Sequence, residues 1–252
     1  MSSAKATAPS PTIAGTLVVS HDPVTIAQLN ESMGKLAMSP EVCAEVPTAL
    51  GLLNSRKFEA VIVDFKLGAQ AIAIIEKIRL SPSNRTAVMF AISDSDAETA
   101  TAYKAGANFV IRRPLSADSI DRNMKVAYGL IVRERRRYFR CPLEIPAVMT
   151  RPDAEIRGKT VNISEGGIAI NTSVPLGPGV EVQVEFMLPG QKSRFVVGAA
   201  VCWCKDTYLG LQFTALSPQL ASELQEWLAK RLEESLPSSV TDKFRNVGNA
   251  PR

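Results

Sequence analysis

The chain has 252 residues, enough for two ordinary domains each with its own core. Hydrophobic residues make up 46% and charged residues 21%, a globular composition that argues against a disordered chain. The net charge of +4 conceals a concentration of arginine at Arg133, Arg135, Arg136, Arg137 and Arg140, for which an anion is the natural partner. No apolar run is long enough to span a bilayer, and Met1 to Pro11 lacks the apolar centre of a signal peptide. A cytoplasmic protein without membrane insertion is the expectation. Cys43, Cys141, Cys202 and Cys204 are too few and too scattered for a disulfide framework. Cys202 and Cys204 alternate with Trp203, so both are expected on one side of a strand, as small thiols rather than metal ligands.

Residues 1–12 are polar and rich in Ser, Ala and Pro, and are read as a flexible tail, as are residues 237–252. Residues 13–132 alternate short apolar runs with helical stretches. Leu17 to Val19, Val61 to Val63, Val88 to Ile92 and Phe109 to Ile111 read as buried parallel strands, which implies an α/β sheet covered on both faces. Ile26, Leu29, Met33 and Leu36 share a helical face, as do Ile72, Ile75 and Ile78. The last helix starts at a cap on Ser116 or Asp118, and its stripe of Ile120, Met124, Ala127 and Ile131 ends where the arginines begin. Residues 133–236 are β in texture. Segments near 143–150, 156–163, 167–172, 180–188, 194–204 and 208–214 are separated by Pro/Gly punctuation, which argues a small antiparallel barrel. Ser217-Pro218 then opens a helix with Leu220, Leu224, Trp227, Leu228 and Leu232 on its apolar face.

Residues 16 to about 130 resemble a response-regulator receiver domain, through Leu17-Val18-Val19, Ala60-Val61-Ile62-Val63-Asp64, Ala91-Ile92-Ser93, and Ala105-Gly106-Ala107 leading to Arg113-Pro114. The resemblance implies a flavodoxin-like parallel sheet and puts Asp64 at the phosphoacceptor position. It also exposes departures. The acidic pair that holds Mg²⁺ in such domains falls on Ser20 and His21, with Asp22 one position too far along, so magnesium binding is expected to be poor. Arg113 stands where the family has lysine, the loop Phe65-Lys66-Leu67-Gly68 lacks the usual proline, and Ser93 keeps the switch hydroxyl. A degenerate receiver used for docking or homodimerisation is the expectation, with Asp64 a vestigial acceptor.

Arg136-Arg137-Tyr138-Phe139-Arg140 followed by Asn162-Ile163-Ser164-Glu165-Gly166-Gly167 reads as RxxxR and then (D/N)xSxxG. The pair resembles the signature of PilZ domains, bacterial β-barrel modules that bind cyclic di-GMP. An arginine fork can grip a phosphate, take the O6/N7 edge of guanine, or stack on the base. The resemblance therefore implies Arg136 and Arg140 as ligand residues, Asn162 and Ser164 as hydrogen-bonding groups that also stiffen the turn, and Gly166 and Gly167 as backbone that a side chain would obstruct. The resemblance also implies, through Arg135 just before the motif, two stacked ligand molecules per domain. The expected protein is a non-enzymatic receptor without cofactor or metal. Ligand would draw the arginine segment onto the barrel and change contacts between domains or with a protein partner in motility, adhesion or exopolysaccharide control. A ligand-free interaction scaffold is the main alternative and a phosphorylation-controlled regulator a lesser one. Nucleic acid is not expected as a partner, for want of a helix-turn-helix signal.

Overall fold

The computed structural model describes residues 14–36 and 38–236; the tails expected at 1–12 and 237–252 lie outside the described residues. The described chain divides into two compact units, the first through Arg135 and the second Arg136–Ser235. The division falls three residues beyond the boundary expected between 132 and 133.

The first unit runs β1 (Gly15–Val19), α1 (Pro23–Lys35), β2 (Ser39–Cys43), α2 (Val46–Ser55), β3 (Ala60–Asp64), a 3-10 turn (Phe65–Leu67), α3 (Ala69–Leu80), β4 (Val88–Ser93), α4 (Asp96–Ala105), β5 (Phe109–Arg112) and all of α5 (Ala117–Tyr138) but its last three residues, which the division places in the second unit. Its strands are all parallel in the order β2-β1-β3-β4-β5, the flavodoxin-like arrangement. Strand periodicity divides its core in two. Val18, Ile62, Phe90 and Ile92 face α1 and α5, where Leu29, Met33, Ile120 and Met124 meet them. Val19, Val61, Val63 and Met89 face the other way, toward Ala49, Leu53, Ile74 and Ile78 of α2 and α3. β2 was not foreseen because Ser-Pro opens it; as an edge strand it loses no ladder bond at Pro40 that a central strand would need. Ser116 is the cap of α5, accepting from Ser119 N at 3.1 Å.

The second unit contains β6 (Cys141–Pro142), β7 (Pro146–Arg151), β8 (Ala154–Ser164), β9 (Gly167–Asn171), β10 (Glu181–Met187), β11 (Arg194–Lys205), β12 (Tyr208–Ala215) and α6 (Pro218–Glu234). Hydrogen-bonded neighbours follow the order β6-β8-β7-β10-β11-β12-β9, and β9 returns to pair with β8. Six antiparallel strands are thereby closed, leaving no long free edge, and the two-residue β6 lies beside β8. Alternate residues fill the interior: Met149, Val184, Phe195 and Val197 are buried while their strand neighbours face outward. Phe186 and Phe195 stack with ring centroids 5.1 Å apart. α6 begins at Ser217, whose Oγ accepts from Leu220 N at 3.3 Å, and lays Leu224, Trp227 and Leu228 on the barrel core. Trp227 Nε1 donates to Pro189 O at 3.1 Å, which satisfies the indole as it is buried.

Phe195 is fully buried in this stack. Phe195→Ala is expected to cost about 3–5 kcal/mol, a deletion that leaves a cavity the barrel cannot collapse into, read from urea unfolding.

Candidate functional site

Two short pieces of chain meet at one end of the barrel because of the register of β6 on β8. Cys141 pairs with Ile163 and Pro142 with Asn162. Arg140 immediately precedes this pairing, so the ladder brings the end of the arginine run beside the Asn-x-Ser turn, and both line one cavity. β8 ends at Ser164, β9 begins at Gly167, and Glu165-Gly166 is the two-residue turn between them. Ser164 Oγ donates to Gly167 O at 3.2 Å and holds that turn.

A cavity of about 800 Å³ opens over this junction. Arg140, Asn162, Ser164, Gly166 and Gly167 all line it, so five of the seven ligand residues expected from the sequence stand around one space. Arg135 and Arg136 do not line it. Arg135 belongs to the first unit, where its Nη1 is 3.6 Å from Oε1 of the buried Glu59. Burial raises the Glu59 carboxyl above the usual range, against which Arg135 and the Gly15 amide pull it down. Arg136 Nη2 is 4.0 Å from Glu233 Oε1 on α6. The second arginine of the cavity is instead Arg137.

Several cavity residues were not foreseen. Arg137, Tyr138 and Glu165 sit beside the motif residues, whereas Trp203, Gln212 and Gln225 arrive from β11, β12 and α6. Trp203 reaches the cavity through a β-bulge: the β11–β12 register shifts between Val201 and Trp203, so Cys202 and Trp203 both face outward in succession. The expectation that Cys202 and Cys204 share a side is corrected by the same bulge. Cys204 packs against the barrel core, while Cys202 is exposed with its Sγ 3.7 Å from Gln212 Oε1. The indole of Trp203 lies against Gly210, where an added Cβ would fall 2.0 Å from Nε1. The side chain nevertheless remains 46% exposed, which leaves aromatic surface available in the cavity.

Gly167 lets backbone approach where a side chain would clash: an added Cβ would lie 2.3 Å from the carbonyl oxygen of Leu211 on β12, so the close approach of β9 to β12 requires glycine here. An added Cβ on Gly166 meets nothing within 4 Å. What the cavity can do follows from its groups. Two guanidinium forks, three amides, a serine hydroxyl and an exposed indole suit an anion carrying planar, hydrogen-bonding rings.

A second cluster stands at the carboxyl ends of β1 and β3 in the first unit, where the strand order reverses. Asp64 is fully buried and accepts from Arg113 Nη2 on both oxygens at 2.8 Å, from Ser20 Oγ at 2.7 Å and from Lys66 N at 3.0 Å. Arg113 also lies 3.8 Å from Asp22 and 3.5 Å from Asp94. Hydrogen bonds from Thr25 and then Lys66 lower the Asp22 carboxyl to about 2. Ser93 Oγ is engaged with Thr99 Oγ1 at 2.8 Å. A divalent cation does not fit this donor set, because a guanidinium already faces both oxygens of Asp64 and a hydroxyl at Ser20 replaces a hard anionic ligand.

Residues 134–230 match the family model described as PilZ domain. Over 106 residues, 41% of this chain, the sequence is 31% identical to the cellulose synthase catalytic subunit (UDP-forming) of Xanthomonas axonopodis pv. citri, a stretch that spans 14% of that relative's length. Among solved structures, the receiver domain of a sensor histidine kinase from Pseudomonas aeruginosa aligns at 17% identity and TM-score 0.42, over 46% of this chain and 98% of its own. A response regulator from Thermotoga maritima aligns at 20% identity and TM-score 0.41, over 49% of this chain and 98% of its own. An inhibitor of motility from Bacillus subtilis aligns at 21% identity and TM-score 0.37, over 40% of this chain and 53% of its own.

Gly167→Ala should lower barrel stability by about 2 kcal/mol or more, because backbone on both sides must shift, and thermal unfolding measures it. In the first unit, Arg113→Ala should cost about 3–5 kcal/mol by leaving a buried carboxylate without its cation. Combining it with Asp64→Asn should cost less than the sum of the two single changes, a coupling read from a double-mutant cycle in urea.

Proposed function

We propose that this chain, whose residues 134–230 are a PilZ domain, is a non-enzymatic receptor for cyclic di-GMP, with the ligand in the cavity over the Asn162 to Gly167 turn. The observation that carries the reading is the convergence of Arg140 with Asn162 and Ser164 through the β6–β8 register, beside Arg137 and Trp203. Each ligand phosphate is an anion for a guanidinium fork, and each guanine offers an O6/N7 edge to a fork and a face to an aromatic ring. Arg140 and Arg137 are the proposed phosphate and base contacts, Asn162 and Ser164 the proposed hydrogen-bonding groups, and Trp203 a stacking surface. Gly166 leaves the turn open to the ligand.

Arg136 is proposed to join this set, carried over from the motif; its ion pair with Glu233 is long and partly exposed. Arg135 is more firmly held, since its departure would take from the buried Glu59 the cation that does most to offset its burial. A second ligand molecule per domain depends on that exchange, and the stoichiometry of a titration reads it directly.

The division between the units falls within the arginine run, after Arg135, so ligand binding acts on the segment that joins the two units. The proposed output is a changed arrangement of that segment and a changed surface for a protein partner. The likeness of part of the chain to a cellulose synthase supports exopolysaccharide production as the setting. The first unit acts in this scheme as a docking or dimerisation module. Its Asp64, already neutralised by Arg113, is a poor acceptor of a phosphoryl group, which disfavours control by phosphorylation.

Calorimetric titration of the full chain with cyclic di-GMP, beside GTP, tests the reading. Binding should weaken by about 10- to 100-fold in Arg140→Ala, the loss expected for a charge-assisted contact, and the ligand should quench emission from Trp203 while the buried Trp227 serves as an internal reference. A folded wild-type chain that releases no heat with cyclic di-GMP would replace the receptor with an interaction scaffold.

A further inference from the structure

We propose that Gly210 is a positioning residue for the ligand. With no side chain at that point of β12, the indole of Trp203 lies across the strand as one wall of the cavity, and a side chain there would lift the ring into the space a base must enter. The role rests on the receptor reading given above and adds to it a residue outside both sequence motifs.

Four residues stand in one cross-strand row: Asn162 on β8 pairs with Ala169 on β9, Ala169 with Gly210 on β12, and Gly210 with Trp203 on β11. All of them line the cavity. Neighbouring strands are about 4.8 Å apart, so the backbone of Trp203 stands roughly 14 Å around the sheet from that of Asn162. The indole shortens that gap by leaning from β11 over β12, in the direction of β9. An added Cβ on Gly210 would fall 2.0 Å from Nε1, 2.1 Å from Cε2 and 2.7 Å from Cδ1 of the ring. Ala169 and Gly210 thus make a low floor between an amide on one side and an aromatic face on the other.

The reason for glycine here is the side chain it admits. Its φ lies outside the left-handed region, so the backbone at Gly210 accepts any L residue. The atoms nearest an added Cβ all belong to the five-membered ring of Trp203, whereas at Gly167 the nearest is a main-chain oxygen. A substitution at Gly167 must move strands; one at Gly210 need move only the indole. Glycine inside a strand often marks such a close approach, and the group approaching Gly210 is the stacking surface itself.

The full chain is titrated calorimetrically with cyclic di-GMP as wild type, Gly210→Ala, Gly210→Val and Trp203→Ala, and with each glycine change combined with Trp203→Ala; thermal unfolding establishes that each variant is folded. Gly210→Val should weaken binding by about 10-fold, the loss of one base stacked on an aromatic ring, with Gly210→Ala changing it in the same direction. Within Trp203→Ala, either glycine change should alter affinity by less than about twofold, because the group it acts through is gone. Without ligand, acrylamide should quench more emission in Gly210→Val than in the wild type, since a lifted indole is more accessible while Trp227 stays buried. Folded glycine variants that bind as the wild type does, or that weaken binding as much without Trp203 as with it, overturn the inference while the receptor stands. A folded wild type that does not bind cyclic di-GMP removes the receptor reading and this role together.

Discussion

Closure of the barrel by β9 is the constraint on which the candidate site depends. β9 is five residues long and must pair with β8 on one side and β12 on the other, and at Gly167 it comes so near Leu211 that no side-chain atom could be accommodated. That closeness fixes where the preceding turn can lie. With Ser164 tied to the Gly167 carbonyl, the Glu165-Gly166 turn projects from the rim of the barrel, and β6 brings Arg140 to it along the other side of β8. The cavity is thus built on hydrogen-bonded strands rather than on a long loop, the type of foundation that keeps polar groups within the tolerances recognition demands.

The arginine run shows how neighbouring residues of one type are sorted by what each can reach. Arg135 pairs with a buried carboxylate of the first unit, Arg136 approaches Glu233 of the second, and Arg137 and Arg140 line the cavity. A buried carboxylate binds its cation tightly because either partner alone would be costly to leave unpaired, whereas a partly exposed ion pair is readily exchanged. The run therefore grades from a residue held in place to residues available to an anion, over six positions of sequence.

In the first unit the same principle acts on Asp64. A buried aspartate needs compensation, and here Arg113, Ser20 and the Lys66 amide supply it from within the chain. The carboxylate becomes part of the internal bonding of the fold. The sheet holds its strand order and its two-sided core around this internally bonded carboxylate.

The sequence by itself determined the α/β unit, the barrel and the closing helix, because apolar runs, periodic stripes and Pro/Gly punctuation are local signals that burial obliges a chain to carry. It also pointed to Arg140, Asn162, Ser164, Gly166 and Gly167, which lie in two short motifs and do line one cavity. Short β2 and β6 escaped it, since an edge strand opened by Ser-Pro and a two-residue strand have too little pattern to detect. Only the tertiary structure decided which arginines reach the cavity, for adjacent arginines are equivalent until their distances to Glu59 and Glu233 are known. It alone brought Trp203, Gln212 and Gln225 to the site, because a register shift in β11 and the pairing of strands far apart in sequence set where those side chains point. It also identified the backbone that Gly167 admits, the Leu211 carbonyl lying 2.3 Å from where a Cβ would stand, a neighbour that no property of the motif names.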